Sequence, residues 1–240
     1  MIDVASPRKQ FNLSKYQKLA FKAIDDILSC DKLPILAGGS GLYLQAVVEN
    51  FKLSDSKKDS ALRKRAEKLS AEELFDQLKE LSPKMAARLN QSDKNNPRRL
   101  IRYLEILEQD QDFRRPAGRR KYDALIIGLD ATREILKQRI AARLTERLEK
   151  QGLIEEVKKL KADGLSWKKL EAFGLEYKFV SLYLQKKLSY EAMAEKLNIA
   201  LNQFSKRQMT WFRRWEKQGA KINWLKDGKK IGRLVKNFLE

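Results

Sequence analysis

Residues 33–48 read Leu33-Pro34-Ile35-Leu36-Ala37-Gly38-Gly39-Ser40-Gly41-Leu42-Tyr43-Leu44-Gln45-Ala46-Val47-Val48, and the reading of this stretch decides the fold. Leu33 to Ala37 is a short apolar run closed by turn residues, the pattern of a buried strand. After Gly38-Gly39-Ser40-Gly41 the apolar residues recur at spacings of three and four, the pattern of a helix. The segment therefore predicts strand, glycine turn and helix, with Ser40 placed to cap the helix start. Such a turn can hold an anion, because unpaired N–H groups and the helix dipole meet there. It is equally the ordinary connection of any α/β domain.

Upstream, Ser14 and Gln17 form a capping-box pattern ahead of a helical stripe, Leu19, Ala20, Ala23, Ile24, Ile27 and Leu28. Before it, Met1 to Pro7 resembles the tail of a strand with no partner upstream. Helix, strand and helix in succession is the cadence of a doubly wound α/β domain. Residues 1–52 are accordingly assigned to a first part of an α/β core.

Residues 53–118 differ in character. Strand signals vanish and helix starts recur: Asp59, Ser70 with Glu73, Ser82-Pro83 and Asn96-Pro97. They predict an all-helical insertion whose loops, Lys52–Asp59 and Gln91–Asn95, are polar. Arg98, Arg99 and Arg102 stand in the first turns of its last helix, where the dipole is already positive and cations cost a few tenths of a kcal/mol. A phosphate contact and a solvated face both fit them. Phe113 to Lys121 is a basic linker, read as a solvated loop or an RNA-backbone contact.

Residues 119–240 are assigned to the second part of the core. Ala124 to Leu129 predicts another buried strand. Thr132 to Lys161 carries apolar residues every four positions and is broken near Gly152. Beside that stripe run Arg139, Arg143 and Arg147, a row expected at the half-buried edge, either on phosphates or in salt bridges to Glu146 or Glu149. From Ser189 a long helix runs to Lys206-Arg207-Gln208-Met209-Thr210-Trp211-Phe212-Arg213-Arg214-Trp215. Interleaved basic and aromatic residues suit stacking on looped RNA, and equally suit a helix that packs Met209, Phe212 and Trp215 into a core.

Composition limits the chemistry. The 240 residues hold 51 Lys and Arg against 32 Asp and Glu, a formal charge of +19. That excess favours a polyanionic partner, nucleic acid before membrane surface. From Phe204 to Glu240 there are eleven Lys or Arg against three Asp or Glu, which tips the long helix toward a nucleic-acid face. One cysteine, Cys30, excludes an internal disulfide and a thiolate zinc cluster. There is no histidine, so any proton transfer must use a carboxylate, lysine, tyrosine or the substrate itself. No apolar run approaches a membrane span and no secretory signal opens the chain, which reads as cytoplasmic.

Several of these pieces resemble the tRNA dimethylallyltransferase, or tRNA isopentenyltransferase, family. Gly38-Gly39-Ser40-Gly41-Leu42-Tyr43 is similar to its G-G-[TS]-x-L-Y, and Asn96 to Glu105 to its N-D-x-x-R-[VIL]-x-R-A-L-E. Leu175 to Leu184 resembles its G-Y-[KR]-E-x-x-x-Y-L, with G-L-E-Y-K standing for G-Y-[KR]. Lys206 to Arg213 matches K-R-Q-x-T-W-[FL]-R almost letter for letter. The resemblance implies a P-loop-type three-layer α/β core, a helical insertion that clamps the tRNA, and magnesium. It also implies transfer of a dimethylallyl group from its diphosphate to the exocyclic amine of the adenosine 3′ of the anticodon. By position it assigns Ser40, Arg63, Arg98, Arg99, Leu100, Ile101, Arg102, Gly174, Lys206, Arg207 and Arg213 to the tRNA anticodon arm. It assigns Arg143 to the diphosphate, and it implies a monomer.

The family's phosphate loop, G-[PS]-T-[AG]-x-G-K-[ST], and the aspartate base after it have no counterpart in these residues. The expectation is a core incomplete at its N-terminus and inactive alone, without its magnesium ligands. Two other readings stay open: an RNA-binding protein without catalysis, and a piece of a small-molecule P-loop kinase.

Overall fold

A computed structural model describes residues 1–53, 59–109, 118–226 and 228–240. Helix α1 (Leu13–Leu28) is started by Asn12, whose side chain accepts from the Lys15 amide. The Ser14–Gln17 capping box does not form. Gln17 is buried instead, and its amide donates to the main-chain oxygens of Ala46 at 2.8 Å and Phe51 at 3.0 Å. Those carbonyls lie at the end of α2 (Gly41–Val48), so a residue read as a local cap is a tertiary one. Tyr16 of α1 stacks on Tyr43 of α2 with ring centroids 4.7 Å apart, and burial followed by the neighbouring Tyr43 raises the Tyr16 pKa.

Leu33 to Ala37 forms no strand, and Ile35 is 84% exposed. A strand exists only through its ladder, and no strand among the described residues pairs with this run.

The second group of helices begins with α3 (Ser60–Ala66), whose start Asp59 caps with its carboxylate, which the Leu62 and Ala61 amides hold below its usual pKa. The Ser70–Glu73 capping box opens α4 (Ala71–Leu81) as expected, and Ser82 with Pro83 opens α5 (Pro83–Ala86). Gln91–Asn95 is not a plain loop. Asn90 caps a single turn there, α6 (Gln91–Lys94), before α7 (Pro97–Gln109). Leu62, Leu74, Leu78, Leu100, Ile101, Leu104 and Leu107 close one core among these helices. The loop 54–58 and the linker residues 110–117 lie outside the described residues. The chain leaves and rejoins this group at one point, where the Gly118 amide donates to the Asn50 oxygen at 3.1 Å. A Cβ on Gly118 would come within 2.4 Å of that oxygen, so only glycine permits the closure.

After it, β1 (Ile126–Leu129) leads through Thr132, which caps α8 (Arg133–Glu149), to α9 (Leu153–Ala162), with the break at Gly152. Then follow α10 (Trp167–Glu171), α11 (Leu175–Leu184) and the long α12 (Tyr190–Lys217). Strand β2 (Ile222–Leu225) returns parallel to β1, with Ile126 opposite Ile222 and Gly128 opposite Trp224, and α13 (Ile231–Leu239) closes the chain. The sheet has two strands among the described residues, and β1 is half-buried where full burial was expected, with Leu129 69% exposed. The architecture is thus mostly helical with a small parallel sheet, compatible with an α/β fold. A second core joins α8 to α12 through Leu144, Leu148, Leu153, Val157, Leu170, Val180, Met193 and Leu197. A third, around Trp215, Ala220 and Ile222, fastens the sheet to α2 and α12 through Leu44, Val48, Ile126 and Phe212. No helix among the described residues is long and apolar enough to cross a membrane.

Candidate functional site

The glycine turn and the basic–aromatic segment lie far apart in sequence, and the fold joins them. Gln208 Nε2 donates to the Gly39 oxygen at 3.0 Å. Trp211 Nε1 donates to Gln45 Oε1 at 3.1 Å, and Trp215 Nε1 donates to Glu49 Oε1. Both indole contacts span the same sequence offset and both pairs are spaced four residues apart, so α2 and α12 run parallel and in register. Gln45 completes the ladder by donating to Glu49 Oε2 at 2.9 Å. Trp211 lies so close to the turn that a Cβ on Gly41 would sit 2.2 Å from its Cδ1. Gly41 is therefore fixed by an approach of an indole to bare backbone.

Ser40 occupies the N-cap position of α2, with its carbonyl accepting from the Tyr43 and Leu44 amides at 3.0 and 3.1 Å. Its hydroxyl makes no capping bond, contrary to the expectation.

Helix α12 divides its residues by face. Gln208, Trp211, Phe212 and Trp215 point to α2 and the sheet, and Trp215 is 1% exposed. Lys206, Arg207, Thr210, Arg213 and Arg214 are exposed. The Arg214 guanidinium lies 4.1 Å from the centroid of the Trp211 ring, and Arg207 lies over Phe204 at 5.9 Å. The aromatics at 211, 212 and 215 thus serve packing, while the cations face solvent.

A second group forms in the helices between Asp59 and Gln109. Glu105 is 0% exposed, and two arginines meet it. Arg63 grips it through both oxygens, Nε to Oε1 at 2.5 Å and Nη2 to Oε2 at 3.0 Å, and Arg102 adds Nη1 to Oε2 at 3.2 Å. Burial pushes the Glu105 carboxyl up, but the hydrogen bonds from Arg63 and Arg102 outweigh it, and the net pKa lies below the usual carboxylate range. The same hydrogen bond from Arg63, against burial, raises the arginine pKa. Arg99 pairs with Asp93 at 2.5 Å and Arg98 is exposed. Leu100 and Ile101 are buried in the local core, so their side chains support this helix from within and present nothing to a ligand. Their positions, with Leu104 and Leu107, are one apolar face at helical spacing.

The arginine row on α8 is not uniform. Arg147 is half-buried and pairs with Glu176 at 3.0 Å and Glu156 at 3.8 Å, not with Glu146 or Glu149. Arg139 and Arg143 are exposed, because the helix packs closely only toward its C-terminal end, at Leu144 and Leu148. Arg143 makes no ion pair with a described residue. Tyr177 donates to Glu156 Oε1 at 2.5 Å, and burial first, then that carboxylate, push its pKa up to about 12. Gly174 starts α11 on an exposed turn beside Phe173.

Gln208, Trp211 and Glu105 lie inside the quoted motifs and Gln45 in the helix after the glycine turn, but their organising contacts were not read from the sequence. The spacing of Gln208, Trp211 and Trp215 on one helical face is the signal that could have found the first two. For Glu105 there is only an acidic residue on an apolar stripe. Among the described residues no three His, Cys, Asp or Glu side chains converge as a metal cage, and no single carboxylate is marked out for magnesium.

The model of a family described as IPP transferase matches residues 1–215. The chain is 41% identical over 227 residues to tRNA dimethylallyltransferase 1 of Syntrophus aciditrophicus, covering 94% of this chain and 73% of that one. It is 40% identical over 227 residues to tRNA dimethylallyltransferase 2 of Citrifermentans bemidjiense, covering 94% and 72%. Among solved structures, the tRNA isopentenylpyrophosphate transferase of Bacillus halodurans superposes with a TM-score of 0.65 at 32% identity, covering 99% of this chain and 76% of that one.

Proposed function

This chain belongs to the IPP transferase family, and on that premise we propose that it acts in tRNA modification by prenyl transfer. The group moved is dimethylallyl, from its diphosphate to the exocyclic amine of the adenosine 3′ of the anticodon. The observation that carries this reading is the union of the glycine turn with the cationic face of α12, through Gln208 to Gly39 and Trp211 to Gln45. It puts the glycine turn and a row of cationic side chains on one bonded unit.

In this reading Lys206, Arg207 and Arg213 take phosphates of the anticodon arm, and Arg98 and Arg99 take others. Phosphate contacts fix register, and the base is then read out of the stack. Ser40 lies at the turn that receives the adenosine or its neighbour, and Gly174 leaves the α10–α11 turn open to the RNA backbone. Arg63 and Arg102, locked on Glu105, form a cationic pair whose orientation is set before RNA arrives. Arg143, exposed and without an ion pair to any described residue, is placed to offset charge on the departing diphosphate as the carbon–oxygen bond breaks.

The 240 residues contain no G-K-[ST] loop and no histidine, so the proton on the amine is assigned to no group here. Magnesium, where the family uses it, would sit on diphosphate oxygens. The residues described present no site that fits it. A P-loop-type core, a tRNA-clamping role for residues 53–118, a monomeric state and a cytoplasmic location belong to the same proposal.

The test is binding of an anticodon stem-loop across a salt series. Five neutralised phosphates, one for each of Lys206, Arg207, Arg213, Arg98 and Arg99, give a slope of log affinity against log salt of about −3.5 to −4.5, at roughly 0.7 to 0.9 per contact. A slope near zero refutes the reading. One alternative is RNA binding without catalysis on the same basic surfaces. Labelled dimethylallyl diphosphate separates the two: label on the adenosine excludes the alternative, and binding without label supports it.

A further inference from the structure

We propose that Gln208 and Trp211 are positioning residues that hold the Gly38–Gly41 turn on the RNA-gripping helix, so that extrusion of the target adenosine is coupled to grip on the phosphates. The inference rests on the functional reading above and adds residues to it. The sequence pattern makes Trp211 a candidate for stacking on a nucleobase. The geometry removes it from that role. Its N–H is used by Gln45 at 3.1 Å, its Cδ1 edge lies against the backbone of Gly41, and the Arg214 guanidinium is 4.1 Å from its ring centroid. Gln208 likewise turns inward and donates to Gly39. Between them the two side chains hold both glycines that flank Ser40.

The same helix sends Lys206, Arg207 and Arg213 outward. One rigid element therefore carries two tasks on opposite faces: cations for phosphates outside, and a brace on the turn inside. Phosphate contacts supply affinity without sequence. Unstacking a base is unfavourable, and the cost must be returned by contacts already in place. A loose turn would leave the grip intact and withdraw the return.

The experiment uses an anticodon stem-loop with 2-aminopurine in place of the adenosine 3′ of the anticodon. Its fluorescence rises when the base leaves the stack, and no turnover is needed. Affinity, salt slope and fluorescence rise are measured for the wild-type chain, Gln208→Ala and Trp211→Phe, with Thr210→Ala as an outward-facing control. The expected result for both inward variants is affinity within about twofold of wild type, an unchanged salt slope, and loss of at least about half of the fluorescence rise. Trp211→Phe keeps packing on Gly41 and carries the test if Gln208→Ala lowers the melting temperature.

An unchanged rise in both variants overturns the proposal. A rise and an affinity that fall together also overturn it, since they make these residues RNA contacts or simple supports of the fold. Failure of the wild-type chain to bind the stem-loop overturns the functional reading itself. Binding without any rise leaves RNA recognition standing and overturns the coupling.

Discussion

Replacing Glu105 by glutamine keeps the size of the side chain and removes the charge that two arginines share. Glu105 is fully buried, while the side chains of Arg63 and Arg102 are 33% and 31% exposed. Breaking a fully buried ion pair from one side costs on the order of 3–5 kcal/mol, because the remaining charge is stranded. Here each stranded arginine regains water over about a third of its surface, which brings the expected cost down to roughly 2 kcal/mol. For a chain of this size that is a fall in melting temperature of about 4–8 °C. The pH dependence follows from the direction of the shift. The Glu105 carboxyl titrates below its usual range in the folded state. Its contribution is therefore fully present above the unfolded value of about 4.3 and is lost as pH falls through the folded pKa. Thermal melts of wild type and Glu105→Gln, followed by circular dichroism from pH 7 to pH 3, should differ most at neutral pH and converge in acid. Melting temperatures within about 1 °C at pH 7, or a gap that stays constant into acid, would refute the account of this triad.

Gln17→Leu should destabilise by about 1–3 kcal/mol, by leaving the Ala46 and Phe51 carbonyls without their buried donor. Hydrogen exchange should accelerate first at the C-terminal amides of α2, and protection unchanged there would rule out the bridging role. Tyr177 should remain protonated until about pH 12 in an ultraviolet titration. A raised acid pKa gives stability that is present below the unfolded value of about 10 and is lost as pH rises toward the folded one. Tyr177→Phe should therefore abolish part of the alkaline destabilisation, and an unaltered alkaline melt would count against it.

Helix starts were legible because their causes are local. Asp59, Ser70, Ser82, Asn96, Thr132 and Ser189 each satisfy amides within three or four residues, and each begins a helix. Gln17 misleads for the converse reason. Its partners lie 29 and 34 residues away, and no window around Ser14 contains them. Leu33 to Ala37 has the composition of a strand, but a ladder belongs to two segments, and composition reports on one. At the candidate site, the exposed cations of α12 could be read from charge alone. The inward turn of Trp211 could not, because a basic–aromatic run looks alike whether its rings meet a base or the backbone of Gly41. The Glu105 clamp depends on Arg63 lying 42 residues earlier on another helix. The motif at Asn96 to Glu105 contains the acid but gives no hint of that partner.

The bond between Gly118 and Asn50 has a consequence for how such a chain can change over time. The path leaves the rest of the protein at Asn50 and is back beside it at Gly118, and the Asn50 side chain also donates to the Arg119 oxygen at 3.0 Å. With the Asn50–Gly118 bond as their stem, the described helices between those residues, α3 to α7, share a core of their own around Leu74, Leu78 and Leu100. Closing a longer or shorter loop on the same stem changes the entropy only logarithmically, about 0.6 kcal/mol for each doubling. Helices can thus be gained, lost or exchanged beyond the stem without moving α2, α12 or the strands. The length beyond the stem is thus loosely constrained, while the closure itself leaves no room for a Cβ at Gly118.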